Sequence, residues 1–192
     1  IIDFADGVKD IEAGVLRMIG DPATRYREDP VRMLRAVRFS AKLGLSIEAN
    51  SEQPIRDLAP LLENIAPARL FDEALKMFHS GQAGSVLALL REYRLFHSLF
   101  PATEHALQDE ASGHFLALIN SALQNTDNRI NAGMSVTPAF LFAVMLWLPL
   151  KQAEAAYREQ SYPDPQGMQQ AANDVLGRQV HHTAVPRRFS NV

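Results

Sequence analysis

The 192 residues carry 47% apolar side chains, 19 Lys and Arg against 22 Asp and Glu, and no cysteine. That apolar share is ample for a buried core in one domain or two small ones, and the missing thiols exclude a disulfide framework and any thiolate metal site. A formal net charge of −3 excludes a uniformly basic surface, so any contact with nucleic acid has to come from local patches.

The chain opens Ile1-Ile2-Asp3-Phe4-Ala5, without the basic n-region and apolar h-region of a signal peptide, and the lack of thiols suits a reducing compartment, so the expected location is the cytoplasm. It starts on Ile rather than Met and reads as an internal fragment. Residues 1–5 and 15–19 on either side of Asp6-Gly7 predict two short strands joined by a turn, because Asp-Gly suits the positive φ that a hairpin needs. From Pro30 onward the pattern turns helical. Gly44, Pro54, Pro60, Pro67, Gly81, Gly84, Pro101, Pro138, Pro149, Pro163 and Pro186 divide it into about eight short helices.

Pro30 suits the first position of a helix, and Glu28 and Asp29 before it suit the positive end of the helix dipole. On that helix Glu28, Arg32 and Arg35 share a stripe with Asp29 beside it, while Val31, Leu34 and Val37 cluster for burial. The helix ends near Leu43 with Gly44 as a left-handed cap. A carboxylate beside a guanidinium complements the edge of adenine or cytosine, each of which offers an amino donor next to a ring-nitrogen acceptor. Guanine and uracil present the reverse order and would leave buried polar groups unpaired, at roughly 1–3 kcal/mol each. Spacing alone favours the plainer reading, surface ion pairs of about 0.2–0.5 kcal/mol apiece.

Pro67 opens a further helix through Arg69, Leu70, Phe71, Glu73, Leu75 and Phe78 to a stop at Gly81, and Leu87, Leu89 and Leu90 continue the core. Residues 138–150 are the most apolar stretch; a membrane span needs about 20 residues, so this is predicted as one core helix. Residues 161–167 carry Pro163, Pro165 and Gly167 and predict an exposed loop between two helices. The terminal run from Pro186 looks like the start of another element. The six histidines form neither HExxH nor a His-Asp pair in the sequence, and Lys42, Arg56, Arg187 and Arg188 could meet RNA phosphates only if they share a face.

Gly7, Asp10, Ile19-Gly20, the run from Tyr26 to Phe39 with its Glu-Asp-x-x-Arg and Leu-Arg-Ala-x-Arg-Phe wording, and Lys42-Leu43-Gly44 resemble, in order, the motifs of class II nucleotidyltransferases. These comprise the bacterial poly(A) polymerases and the CCA-adding enzymes, and the wording is nearer the poly(A) polymerase branch. Residues 67–76 resemble the family's next motif, in which an Arg and a Glu brace the base-reading helix. Residues 125–127, 138–150 and 184–188 resemble the poly(A) polymerase body.

The resemblance implies a mainly α fold, the multi-helix neck and body of such an enzyme with a short β-hairpin remnant of the head domain at the N-terminus. Residues 1–25 would end the head, 26–100 form the neck, and 101–192 form a truncated, RNA-binding helical body. It implies nucleotide binding by Asp29, Arg32, Arg35 and Arg38. Asp29 would accept from the base amino group and Arg32 donate to the ring nitrogen. Glu28, Arg69 and Glu73 would support them. Arg35 and Arg38 are equally open to orienting a carboxylate, approaching phosphates, or lying in solvent.

The implied activity is polynucleotide adenylyl transfer from ATP to RNA 3′ ends, with ATP and the RNA end as partners, no membrane, and RNA-decay proteins not readable. CCA addition to tRNA stays open, since A and C share a donor/acceptor order, as does a non-catalytic helical RNA-binding or scaffold module. The Mg ions of the reaction would be held by paired aspartates in a head domain preceding Ile1. Asp3, Asp6 and Asp10 are expected to satisfy loop backbone instead. The chain alone is therefore expected to hold no catalytic or metal residue and to be inactive.

Overall fold

The computed structural model describes residues 3–186. The order is α1 (Gly7–Glu12), β1 (Val15–Leu16), α2 (Pro22–Glu28), α3 (Val31–Leu43), β2 (Ser46–Ile47), α4 (Ala49–Leu58), a 3-10 helix (Ala59–Asn64), α5 (Pro67–Phe78), α6 (Ala83–Glu92), α7 (Phe96–Leu99), α8 (Pro101–Asp109), α9 (His114–Asn131), α10 (Pro138–Met145), α11 (Trp147–Glu159) and α12 (Asp164–Gln179). The fold is mainly α.

The N-terminal hairpin is not formed. Asp3 accepts from the backbone N–H groups of Ala5 (3.0 Å) and Val8 (2.8 Å), which satisfies donors at a helix start, and Gly7 opens α1 instead of a turn between strands. Residues 15–16 pair with 46–47, in parallel, Val15 opposite Ser46 and Leu16 opposite Ile47. A parallel pair needs a long crossover, and α2 with α3 supply it. Of the strand expected at residues 1–5, residues 3–5 form none, and residues 1–2, like Arg187, Arg188 and the element expected beyond Pro186, lie outside the described residues.

The helix ending near Leu43 closes as expected, with Gly44 at φ 66° and its N–H on the Ser40 carbonyl. The apolar stretch 138–150 is two helices, bent by 57°. Pro149 explains the break: it has no N–H for the Met145 carbonyl and its ring would clash there, so that carbonyl is taken by the buried Thr103 hydroxyl at 2.8 Å. Breaks of this kind help raise the number of α-helices from Val31 onward to ten among the described residues, against the eight or so expected. Residues 161–167 are not all loop either, because α12 begins at Asp164 with Pro165 in its first turn and Gly167 buried.

Helix α3 packs on α5 and α6, and α11 lies along α12. Met33, Leu34 and Val37 of α3 meet a core that includes Leu70, Met77, Val86, Leu90 and Phe100, all at most 2% exposed. Helix α6 is capped from a distance: buried Asp127 of α9 accepts from Ala83 N (2.7 Å) and Gly84 N (3.2 Å), so a full negative charge meets the positive end of the helix. Gly81, at φ 80°, lets the chain pass Asn131, whose Oδ1 would lie 2.3 Å from any added Cβ.

His79, at the end of α5, has a buried Nε2 without a partner, and burial pulls its pKa below the ordinary value. The unfolded chain therefore binds more protons as pH falls through about 6.5, and this stabilisation, present above that pH, declines below it. The Tm advantage of the native protein over His79→Gln is expected to shrink between pH 7.5 and 5.5. An advantage that grows over that range would contradict the assignment.

Candidate nucleotide-binding site

The site forms where α2 gives way to α3. The residue before a proline is pushed out of the α region, and Asp29 accordingly adopts φ −148° and ψ 93°. Helix α3 then starts at Val31 with Pro30 as its N-cap. Glu28 is thus the last residue of α2, not a member of the α3 stripe. It still meets Arg32, because the sharp break folds α2 back toward α3: Glu28 Oε2 accepts from Arg25 Nη1 at 2.7 Å and from Arg32 Nη1 at 3.1 Å. The same Arg32 nitrogen donates to the Arg25 carbonyl at 3.2 Å. Arg32 is held at two points by the preceding helix.

Asp29 is held from α5. Its Oδ2 accepts from Arg69 Nη2 at 2.9 Å, while Oδ1 is buried and has no partner. A buried acceptor without a donor is uncommon, and here it belongs to the carboxylate that Arg69 holds through its other oxygen. A carboxylate oxygen accepts more than one bond, and the aspartate terminal torsion is soft, so Asp29 can keep Arg69 and take a ligand amino group.

The remaining predicted residues divide. Glu73 accepts from Lys76 Nζ at 2.8 Å and makes no ion pair with Arg69, whose guanidinium is drawn across to Asp29. The i,i+4 spacing of Arg69 and Glu73 does not become a contact. Arg35 is exposed, forms no ion pair or hydrogen bond with the described residues, and lines a cavity of about 170 Å³ with Arg32, Arg17, Met18 and Phe39. Arg38 lies over the Phe39 ring at 4.8 Å, its Nε buried without a partner. Arg25, Arg32, Arg35 and Arg69 around two carboxylates leave a local positive surplus, suited to an anionic ligand.

Arg25 was not singled out in the sequence, although its i,i+3 spacing to Glu28 is a readable signal. Arg56 is engaged rather than free for phosphates: it pairs with Glu92 at 3.2 Å and lies over the Tyr93 ring at 5.1 Å. His105 does form a His-Asp pair, with Asp109 one turn on at 2.9 Å, on an exposed surface. Of the three early aspartates only Asp3 satisfies loop backbone through its side chain; Asp6 pairs with Lys9 and Asp10 with Arg17. No group of three or more His, Asp or Glu among the described residues could hold a metal ion.

Residues 44–107 match a family model described as "Probable RNA and SrmB- binding site of polymerase A". Over 191 residues, 99% of its length, the chain is 47% identical to a poly(A) polymerase I of Haemophilus influenzae and covers 42% of that protein. It is 45% identical over 193 residues to a poly(A) polymerase I of Escherichia coli O6:H1, covering 41% of it. A CCA-adding enzyme of Leuconostoc mesenteroides is 44% identical over 89 residues, 46% of this chain and 22% of that one. The chain spans about two fifths of the length of the poly(A) polymerases I it matches. Among solved structures, one titled "tRNA-processing enzyme (apo form 2)" superposes with a TM-score of 0.59 at 21% identity, covering 92% of this chain and 50% of that one, a likeness of fold.

Proposed function

The chain belongs to the family of poly(A) polymerases and CCA-adding enzymes, and from that premise we propose that it reads the base of incoming ATP for an enzyme that adds AMP to RNA 3′ ends. The observation that supports the reading is the break between α2 and α3, which leaves Asp29 Oδ1 buried without a partner three residues before an Arg32 held by Glu28 and the Arg25 carbonyl. Asp29 accepts from the adenine amino group and Arg32 donates to the adjacent ring nitrogen, an order that guanine and uracil oppose. Arg35, without an ion pair or hydrogen bond among the described residues and one turn along α3, would meet the triphosphate. Arg38 is the outer guanidinium of the same face. Glu28 and Arg25 orient Arg32, and Arg69 orients Asp29.

Residues 1–25 are assigned to the end of the head, 26–100 to the neck and 101–192 to the RNA-binding body. The described residues offer no ligand set for the metal ions of phosphoryl transfer, so that chemistry is assigned to the head domain of the whole enzyme. By itself the chain is expected to select but not to transfer. RNA and ATP are the proposed partners, in the cytoplasm.

Nucleotide incorporation by the intact enzyme tests this. A run of AMP on an RNA 3′ end is expected, and incorporation of CMP on a tRNA lacking its terminal CCA would overturn it in favour of CCA addition. Arg69→Gln should raise the KM for ATP roughly 2- to 5-fold, as a half-exposed ion pair is worth up to about 1 kcal/mol, with Arg69→Lys partly restoring it. An unchanged KM for both would remove Arg69 from the positioning of Asp29.

A further inference from the structure

A second set of cations lies outside this site. Arg94 follows α6 at φ 60°, a left-handed conformation that favours glycine, yet an arginine occupies it. Its guanidinium makes no ion pair or hydrogen bond with the described residues, and it lines a cavity of about 330 Å³ with Arg91, Glu104 and His97. Arg91 and Glu104 are already paired, at 2.9 Å. His97 also lines a larger cavity of about 850 Å³ between α7, α8, α11 and α12, so the two cavities meet at this residue.

In the larger cavity stand His181, His182 and Arg178, with Gln179 at its wall. Gln179 is 2% exposed; its Nε2 donates to the Leu99 carbonyl (2.7 Å) and the Thr183 hydroxyl (2.6 Å), and its Oε1 has no partner. The negative charge on this wall, Asp174, is engaged by the Tyr157 hydroxyl. The two cavities thus bring together the Arg94 guanidinium, unpaired among the described residues, an Arg178 whose Nε donates to the Asp174 carbonyl at 3.3 Å, the imidazoles of His97, His181 and His182, and an unsatisfied buried acceptor.

We propose that the groove from Arg94 past His97 to His182, Arg178 and Gln179 binds the sugar-phosphate backbone of single-stranded RNA. Phosphates meet Arg94, Arg178 and the imidazoles, and a ribose 2′-hydroxyl supplies the donor that Gln179 Oε1 lacks. The inference rests on the RNA-extending reading above and adds to it where the strand lies. A free nucleotide shares this chemistry, but basic side chains spread over two cavities that meet at His97 suit a strand.

Protonation sharpens it. His182 is held below its ordinary pKa by burial and by the neighbouring His97 and His181, with Glu63 and the Ser98 backbone acting the other way. A phosphate between the imidazoles offsets their mutual repulsion, so RNA binding tightens as pH falls from 8 to 6.

The test measures binding of a fluorescent 20-nucleotide oligo(A) to the intact protein at several salt concentrations and at pH 6, 7 and 8, beside ATP binding and AMP incorporation. Arg94→Gly is expected to raise Tm by relieving the left-handed residue, yet to weaken RNA binding roughly 5-fold and reduce the log–log salt slope by about 0.7. Arg178→Gln should weaken it similarly, and the His97→Gln/His182→Gln double variant should flatten the pH dependence. ATP binding should be unaffected by all of them. RNA affinity and salt slope unchanged in these variants, with AMP still incorporated, would overturn the groove and leave the enzyme reading standing. A native protein that binds no RNA and incorporates no AMP would overturn both, and variants that lose ATP but keep RNA would assign the groove to free nucleotide and overturn the strand.

Discussion

Replacing Arg32 by alanine in the intact enzyme is expected to lower the preference for ATP over GTP by about 5- to 150-fold, the equivalent of roughly 1–3 kcal/mol at the base edge. The expectation follows from what the side chain does when no nucleotide is bound. Arg32 is part-buried, and its Nη1 is tied to Glu28 and to the Arg25 carbonyl. After substitution Glu28 keeps its shorter bond to Arg25, at 2.7 Å, so no charge is left alone. The cost to stability is therefore small, and the change falls on nucleotide choice. Ratios of kcat/KM for ATP and GTP, with Tm measured alongside, check it. A preference that stays within twofold of native at unchanged Tm would remove Arg32 from base reading.

Phe100→Ala should be the most damaging single change to the fold, at about 3–5 kcal/mol. Phe100 is 1% exposed and joins parts of the chain far apart in sequence. Its ring centroid lies 5.5 Å from Phe96, 6.3 Å from Phe78 and 5.3 Å from Phe142. Truncation leaves a cavity lined by three aromatic rings on α5, α7 and α10. The surrounding helices can close it only by shifting relative to one another, and close-packed interiors resist that. Denaturant unfolding of the variant is the measurement, with the midpoint expected to fall while the slope stays constant. A loss below about 1 kcal/mol would show that the helices collapse onto the void.

The comparison between sequence and structure turns on which signals are local. The end of α3 at Gly44, the helix opened by Pro67 and the mainly α character were readable, because glycine caps, prolines and apolar periodicity act within a few residues. The hairpin was misread because Asp-Gly also starts helices when a nearby carboxylate, here Asp3, satisfies the first-turn N–H groups. The single helix at 138–150 was misread for a related reason: Pro149 breaks it, and what makes the break tolerable is Thr103, which takes the carbonyl of Met145, 42 residues away.

At the candidate site the residue types were legible and their partners were not. Sequence spacing placed Glu28 on the helix of Arg32, and the family resemblance made Arg69 and Glu73 joint supports of the site. The tertiary structure puts Glu28 on the previous helix and sends Arg69 across 40 residues to Asp29. It also separates Arg56, absorbed by Glu92 and Tyr93, from Arg94, which has no ion pair among the described residues.

By itself, then, the sequence determined that this chain is helical, that its helix starts and stops are set by proline and glycine, and that an acid and several arginines gather where α2 ends. Those are consequences of backbone stereochemistry and short-range spacing, which any stretch of chain carries within itself. Only the tertiary structure decided which carboxylate keeps an oxygen free and which guanidiniums are neutralised. Ion pairing depends on distance in space, and packing α5 against α3 brings Arg69 within 2.9 Å of Asp29.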